Sequence, residues 1–172
     1  MIEKPEPEEY EDYYGFFIEK VLSEDILAFL HQQANNFIYL LKSLNENQLN
    51  HRYKEGKWTT KELFGHLTDV ERIFAYRVLA ISRGDKGKLP GYDPETYVSI
   101  GNYDNRPIES IIDEYLMLRK SNINMFGSLS KEMLKTRGNV NGSMLSARAI
   151  IYLIAGHQKH HESVLKEKYL SK

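Results

Sequence analysis

Four stretches of the chain place apolar residues at intervals of three and four, the period of helices that turn one face to a core. The first follows Ser23, where Glu24 and Asp25 suit the positive end of a helix dipole. Its stripe runs through Leu27, Leu30, Ala34, Phe37, Leu41 and Leu44. The second has the clearest start signal. Thr59, with Glu62 three residues on, forms a capping box, and Trp58 and Leu63 sit at the flanking staple positions. Its stripe continues through Leu63, His66, Leu67, Val70, Phe74 and Ile81, and Gly84 is placed to end the helix. The third begins with Pro107 at its first position and shows Ile108, Ile111, Tyr115, Leu118 and Phe126 on one side. The fourth starts after Gly142-Ser143 and carries Ala147, Ile150, Ile154, His157, His161 and Leu165.

Few segments alternate with period two, so strands are not expected. Four amphipathic helices in 172 residues read as one all-α domain, a four-helix bundle. The bundle spans residues 23–172. Residues 1–22 form an aromatic N-terminal extension, and its Tyr10, Tyr13, Tyr14, Phe16 and Phe17 are expected to pack over the bundle or against a second subunit. A long connection between helices 2 and 3, about residues 85–106, is rich in Gly, Pro, Asn and Asp. Connections of that length are often functional, so a lid or a crossover along the bundle is expected.

Bulk properties narrow the chemistry. A formal net charge of −1 supplies no general attraction to nucleic acid or anionic membrane. No apolar run approaches the ~20 residues that cross a bilayer. The opening MIEKPEPEEYEDYY is acidic and lacks the apolar segment of a secretory signal. There are no cysteines, which excludes disulfides, thiolate-held metals and a cysteine nucleophile. The expectation is a cytoplasmic protein acting on a small molecule.

Three histidines fall on stripes that otherwise hold Leu, Ile, Val and Phe. His66 lies three residues after Leu63, His157 three after Ile154, and His161 four after His157. An i, i+4 pair lies about 40° apart on one helix face, close enough to share an ion, and a facing helix can add a third imidazole. Three buried imidazoles without partners would be costly, which favours a common role over three separate core histidines. An all-imidazole set suits zinc, nickel, cobalt, copper or iron rather than calcium or magnesium. Three protein ligands leave positions open for water or substrate, as in catalytic zinc sites.

The neighbours are weighed as helpers. His160 either lines the site or faces solvent, and solvent is the expected side. Asp69, one turn after His66, is the best placed carboxylate to orient a ligand imidazole. Asp69, Glu71, Glu162 and His160 are the candidate proton acceptors. The run HQKHH differs from the HExxH peptidase motif because Gln158 stands where the glutamate base would be.

The segment GKWTTKELFGHLTDVERIFAYRVLAISRGD, residues 56–85, resembles the second-helix signature of the DinB/YfiT superfamily. LPGYDPETYV, residues 89–98, is similar to the loop that follows, and ARAIIYLIAGHQKHHESVLKEKYL, residues 147–170, to the last helix. The similarity runs from about Ser23 to Leu170. It implies a four-helix bundle, often homodimeric, with a divalent metal, usually zinc or nickel, on His66, His157 and His161. Members of this family include transferases that use a low-molecular-weight thiol such as bacillithiol, thiol-dependent isomerases, and proteins named as metal-dependent hydrolases.

The first expectation for function is a metal-dependent thiol S-transferase. The thiol would arrive with a cosubstrate, in keeping with a chain that lacks cysteine, and Arg72, Tyr76 and Arg77 are candidates to grip its anionic groups. A metal-dependent hydrolase is the second reading. A non-enzymatic metal-binding or dimeric module is the third.

Overall fold

The computed structural model describes residues 1–170, so the last two residues of the expected bundle domain lie outside the described residues. Four long helices form the frame: α2 (Ile26–Lys42), α4 (Thr60–Ser82), α6 (Ile108–Gly127) and α8 (Ala147–Val164). Around the bundle α2 packs on α6, α6 on α4, α4 on α8, and α8 back on α2. The shorter helices are α1 (Asp12–Ile18), α3 (Glu46–Leu49), α5 (Pro94–Ile100) and α7 (Lys131–Lys135). Helix α1 lies against α8.

Local signals set the helix starts. Asp25 accepts hydrogen bonds from the Leu27 and Ala28 amides, capping α2. The Thr59–Glu62 capping box is formed in both directions. Helix α4 ends at Ser82, and Gly84 follows with φ 84°. Pro107 is the residue before α6 rather than its first turn, and α8 starts at Ala147, capped by the Ser146 hydroxyl. From Ala147 to Gly156 every residue of α8 is buried, because α1, α2 and α4 enclose it.

The expectation of no strands is corrected. Strands β1 (Lys88–Leu89), β2 (Arg137–Val140) and β3 (Ser143–Ser146) form a three-stranded sheet in the order β1-β2-β3. Leu89 pairs parallel with Val140, while β2 and β3 pair antiparallel with Val140 opposite Ser143. Strands of two to four residues are too short to show alternation. The turn between β2 and β3 is Asn141-Gly142, with φ 51° and 97°. Two positive φ values give the turn whose twist matches a hairpin, and Asn-Gly is its preferred pair. The connection between α4 and α6 is also more ordered than its composition implies. It holds β1, α5 and a 3-10 turn at Tyr103–Asn105.

Gly156 fixes how closely α1 approaches α8. A Cβ there would stand 2.0 Å from the Phe17 carbonyl oxygen, a backbone atom that cannot swing aside. Gly156→Ala is therefore expected to destabilise by about 1–3 kcal/mol, the usual range for overpacking. In a chain of this size that lowers the melting temperature by roughly 2–12 °C. An unchanged thermal transition would show that α1 does not hold this position.

Candidate metal centre

Helix α4 brings in His66, and one face of α8 brings in His157 and His161. One ring nitrogen from each lies within 4.8 Å of the other two. The His157 and His161 Nε2 atoms are 3.2 Å apart. Tetrahedral coordination at zinc–nitrogen distances of 2.0–2.1 Å separates ligand nitrogens by roughly 3.3 Å, so this edge already fits a shared ion. His66 stands 5.2 Å, centroid to centroid, from each of the other two rings. The His157 Nδ1 atom is buried and has no hydrogen-bond partner among the described residues.

Burial holds the rings neutral. It lowers the His66 pKa to about 4 and that of His161 to about 3, the latter helped by His66 and His160. It also pushes His157 well below the usual value, with the neighbouring histidines adding to the effect. Neutral imidazoles are the form that ligates a metal. Their aromatic packing keeps the group in place. Trp58 lies over His66 at 4.7 Å and near parallel to His161 at 6.3 Å, and Phe17 tilts against His157 at 5.4 Å. Trp58 is itself held, since its Nε1 donates to Glu95 and its carbonyl accepts from the Tyr169 hydroxyl.

The histidines line a cavity of about 430 Å³ that opens to solvent. Its walls are mostly aromatic, and no Asp or Glu lines it among the described residues. His160 corrects its sequence reading: it is half-buried against Phe16 and Phe17, with its ring 5.3 Å from His161, and it lines the cavity. Helix α1 supplies the cover that takes it out of solvent.

The other helpers are placed differently. Asp69 accepts from the Tyr103 hydroxyl at 2.5 Å, and no hydrogen bond joins it to His66. Glu71 lies in the bundle centre, bonded twice by Arg119 and once by Asn122. Glu162 accepts from Gln158. Gln158 is buried and takes hydrogen bonds from Tyr115 and Arg119, both at 2.6 Å, so one turn of α8 carries two histidines of the cluster and a core anchor. Of the three residues assigned to an anionic group, Arg77 lines the histidine cavity. Arg72 pairs with Glu114, and Arg72 and Tyr76 line a neighbouring cavity that Arg77 shares.

Sequence reading missed Tyr92 and Asn141 as cavity residues. Both arrive through the small sheet. The Asn141 amide donates to the Leu89 carbonyl, and its side chain lies where a Gly91 Cβ would be, so Gly91 leaves it room. The Asn-Gly pair was the signal that could have revealed the hairpin.

The fold and site together define a mostly helical bundle protein with a three-histidine cluster suited to a divalent metal. A family model of the DinB superfamily matches residues 30–165, and the chain belongs to that superfamily. Two proteins of Oceanobacillus iheyensis, each carrying the name "putative metal-dependent hydrolase", are similar in sequence. One is 26% identical over 153 residues, covering 86% of this chain and 87% of that protein. The other is 27% identical over 119 residues, covering 69% of each. In fold, the chain is similar to YfiT from Bacillus subtilis, described as a probable metal-dependent hydrolase with an unusual four-helix bundle topology. The TM-score is 0.67 at 16% identity, over 96% of this chain and 91% of that one. No helix among the described residues is long and apolar enough to cross a membrane.

Proposed function

We propose that this protein is a metal-dependent hydrolase that holds one divalent transition ion, zinc or nickel, on His66, His157 and His161 and acts on a small molecule in the cavity beside them. The observation that carries the reading is three neutral imidazole nitrogens gathered within 4.8 Å at the wall of an open cavity. The names of the Oceanobacillus iheyensis relatives support the same class. Such an ion would supply Lewis acidity, polarising a carbonyl or phosphoryl oxygen and acidifying a coordinated water or thiol. The chain's own residues do the rest. Phe17 and Trp58 pack against the ligand rings and keep bulk water from their edges. His160, half-buried at the same wall, is the group placed to take up or return a proton, with burial and Lys20 lowering its pKa from the ordinary value.

One observation favours thiol S-transfer as a second reading. No carboxylate lines the cavity among the described residues, and a metal-held thiolate needs no carboxylate base. The two readings separate in one experiment. Protein loaded with zinc or nickel is assayed on ester, amide and phosphoester panels without thiol, and on monochlorobimane with bacillithiol or glutathione. Hydrolysis that requires the metal and no thiol is the expected result. Turnover only in the presence of a thiol would replace hydrolysis by S-transfer, and inert panels with intact metal binding would leave a metal-binding module.

A further inference from the structure

Arg77 is the one cation lining the histidine cavity among the described residues, and its surroundings are unusual for a buried charge. It is 7% exposed, yet no carboxylate pairs with it among the described residues. Among the described residues its side chain makes one hydrogen bond, from Nη2 to the Pro90 carbonyl at 2.8 Å. A guanidinium carries five N–H donors in a rigid fork and keeps its charge at neutral pH. Most of that capacity is unused. The guanidinium carbon lies 5.3 Å from the Phe74 ring and 5.8 Å from the Tyr92 ring, which place it between two aromatic faces. The hydroxyls of Tyr14 and Tyr92, both lining the same cavity, make no hydrogen bond to described residues. The N–H groups that Arg77 leaves unpaired are not sealed from solvent but face the open cavity, where an entering anion can take the place of water on the guanidinium.

The distance to the histidines is bounded. The Phe74 ring is 6.4 Å from that of His157, so the guanidinium lies no more than about 12 Å from the His157 ring. Phe74 lies between the two ends, and Phe17 and Leu153 add apolar surface to the same cavity.

We infer that the substrate is an organic anion with an apolar or aromatic body: its carboxylate or phosphate docks on Arg77, and its reacting group reaches the histidines within about 12 Å. The anion end stands on Arg77 alone, while the reacting end rests on the metal reading proposed above. Neutral or cationic analogues of the same shape bind less well, because nothing else on this wall compensates the guanidinium. Arg77 is then a specificity-determining residue.

The test uses 4-phenylbutyrate and its neutral twin 4-phenylbutyramide, titrated into chelator-treated, metal-free protein. Without metal, a carboxylate cannot gain affinity by ligating the ion. Trp58, the only tryptophan, lies over His66 and gives a fluorescence readout at the cavity. Wild-type protein is expected to prefer the carboxylate by about tenfold, as a charge-assisted fork requires. Arg77→Gln removes the preference while leaving amide affinity in place, and Arg77→Lys restores part of it. The melting temperature of Arg77→Gln is expected to stay level, so a lost preference is not a loss of fold. Equal binding of the two probes to wild type, a comparison that needs no variant, would overturn the inference, as would an Arg77→Gln protein that keeps the preference. Protein that neither carries a transition metal as purified nor binds added zinc or nickel would sink the metal reading, while a carboxylate preference in that same protein would leave the anion site standing.

Discussion

Replacing His157 by alanine is expected to strip the protein of its metal. Elemental analysis of untagged wild-type protein should find about one transition ion per chain. The variant should bind at least 100-fold more weakly, since loss of merely an outer hydrogen-bond partner of a ligand already costs about 10–100-fold. His157 is the sharpest choice of the three. Its Nε2 is 3.2 Å from that of His161, and its buried Nδ1 has no partner among the described residues, so no hydrogen bond to a carboxylate or carbonyl accounts for its place in the cluster. The pH dependence adds a second readout. An exposed histidine site would lose metal as pH falls through about 6.5. Here the metal-free folded chain holds His66 neutral down to about 4 and His161 to about 3, so protons compete only at much lower pH. The same shifts fix the sign for the stability of the metal-free protein. Folded-state pKa values lie below the unfolded value, so stability is full above about pH 6.5 and is lost as pH falls toward 4 and below. Equal metal content in wild type and variant would refute the site. Stability flat between pH 6.5 and 4 would refute the buried neutral rings.

Breaking the Glu71–Arg119 pair is expected to give the largest loss of stability. Both residues are 2% exposed, and the pair sits between α4 and α6. Arg119 also donates to the Leu30 carbonyl and to Gln158, which ties α2 and α8 into the same cluster. Either Glu71→Ala or Arg119→Ala leaves a buried charge unpaired, a change that costs about 3–5 kcal/mol. For a chain of this length the melting temperature should drop by roughly 6–20 °C. Glu71→Met combined with Arg119→Leu removes both charges and should lose less than the sum of the two alanine variants, by thermal unfolding in a double-mutant cycle. Losses near zero for the single variants would mean the pair is not closed in solution. Because Gln158 belongs to this cluster, Arg119→Ala should also loosen the turn of α8 that bears His157, and metal affinity should fall with stability.

The sequence made the bundle readable because helices announce themselves locally. The Thr59–Glu62 box, the acidic start at Asp25 and the spacing of Leu, Ile and Phe are properties of neighbours in the chain, and each is realised in α2 and α4. The three histidines were legible for the same reason, as polar letters in apolar phase on α4 and α8. Strands β1 and β2 were not legible, since Leu89 and Val140 are 51 positions apart and their pairing has no local signature. Asp69 was favoured from sequence to orient a ligand imidazole, but as proton acceptors Glu71 and Asp69 were not ranked. They are distinguished by what meets them across the bundle, Arg119 for one and Tyr103 for the other.

Arg77 shows the division most clearly. The chain alone offers Arg72, Tyr76 and Arg77 within two turns of one helix, and periodicity cannot rank them. Tertiary packing does: Glu114 from α6 neutralises Arg72, Tyr76 stays exposed, and Phe74, Tyr92 and Pro90 bury Arg77 without supplying a carboxylate. What the sequence determined by itself is which residue types stand on which helix face, because that follows from a 3.6-residue period. Only the tertiary structure decided which charges are paired, which histidines meet and which face of the cavity is left positive, because those depend on groups brought together from distant parts of the chain.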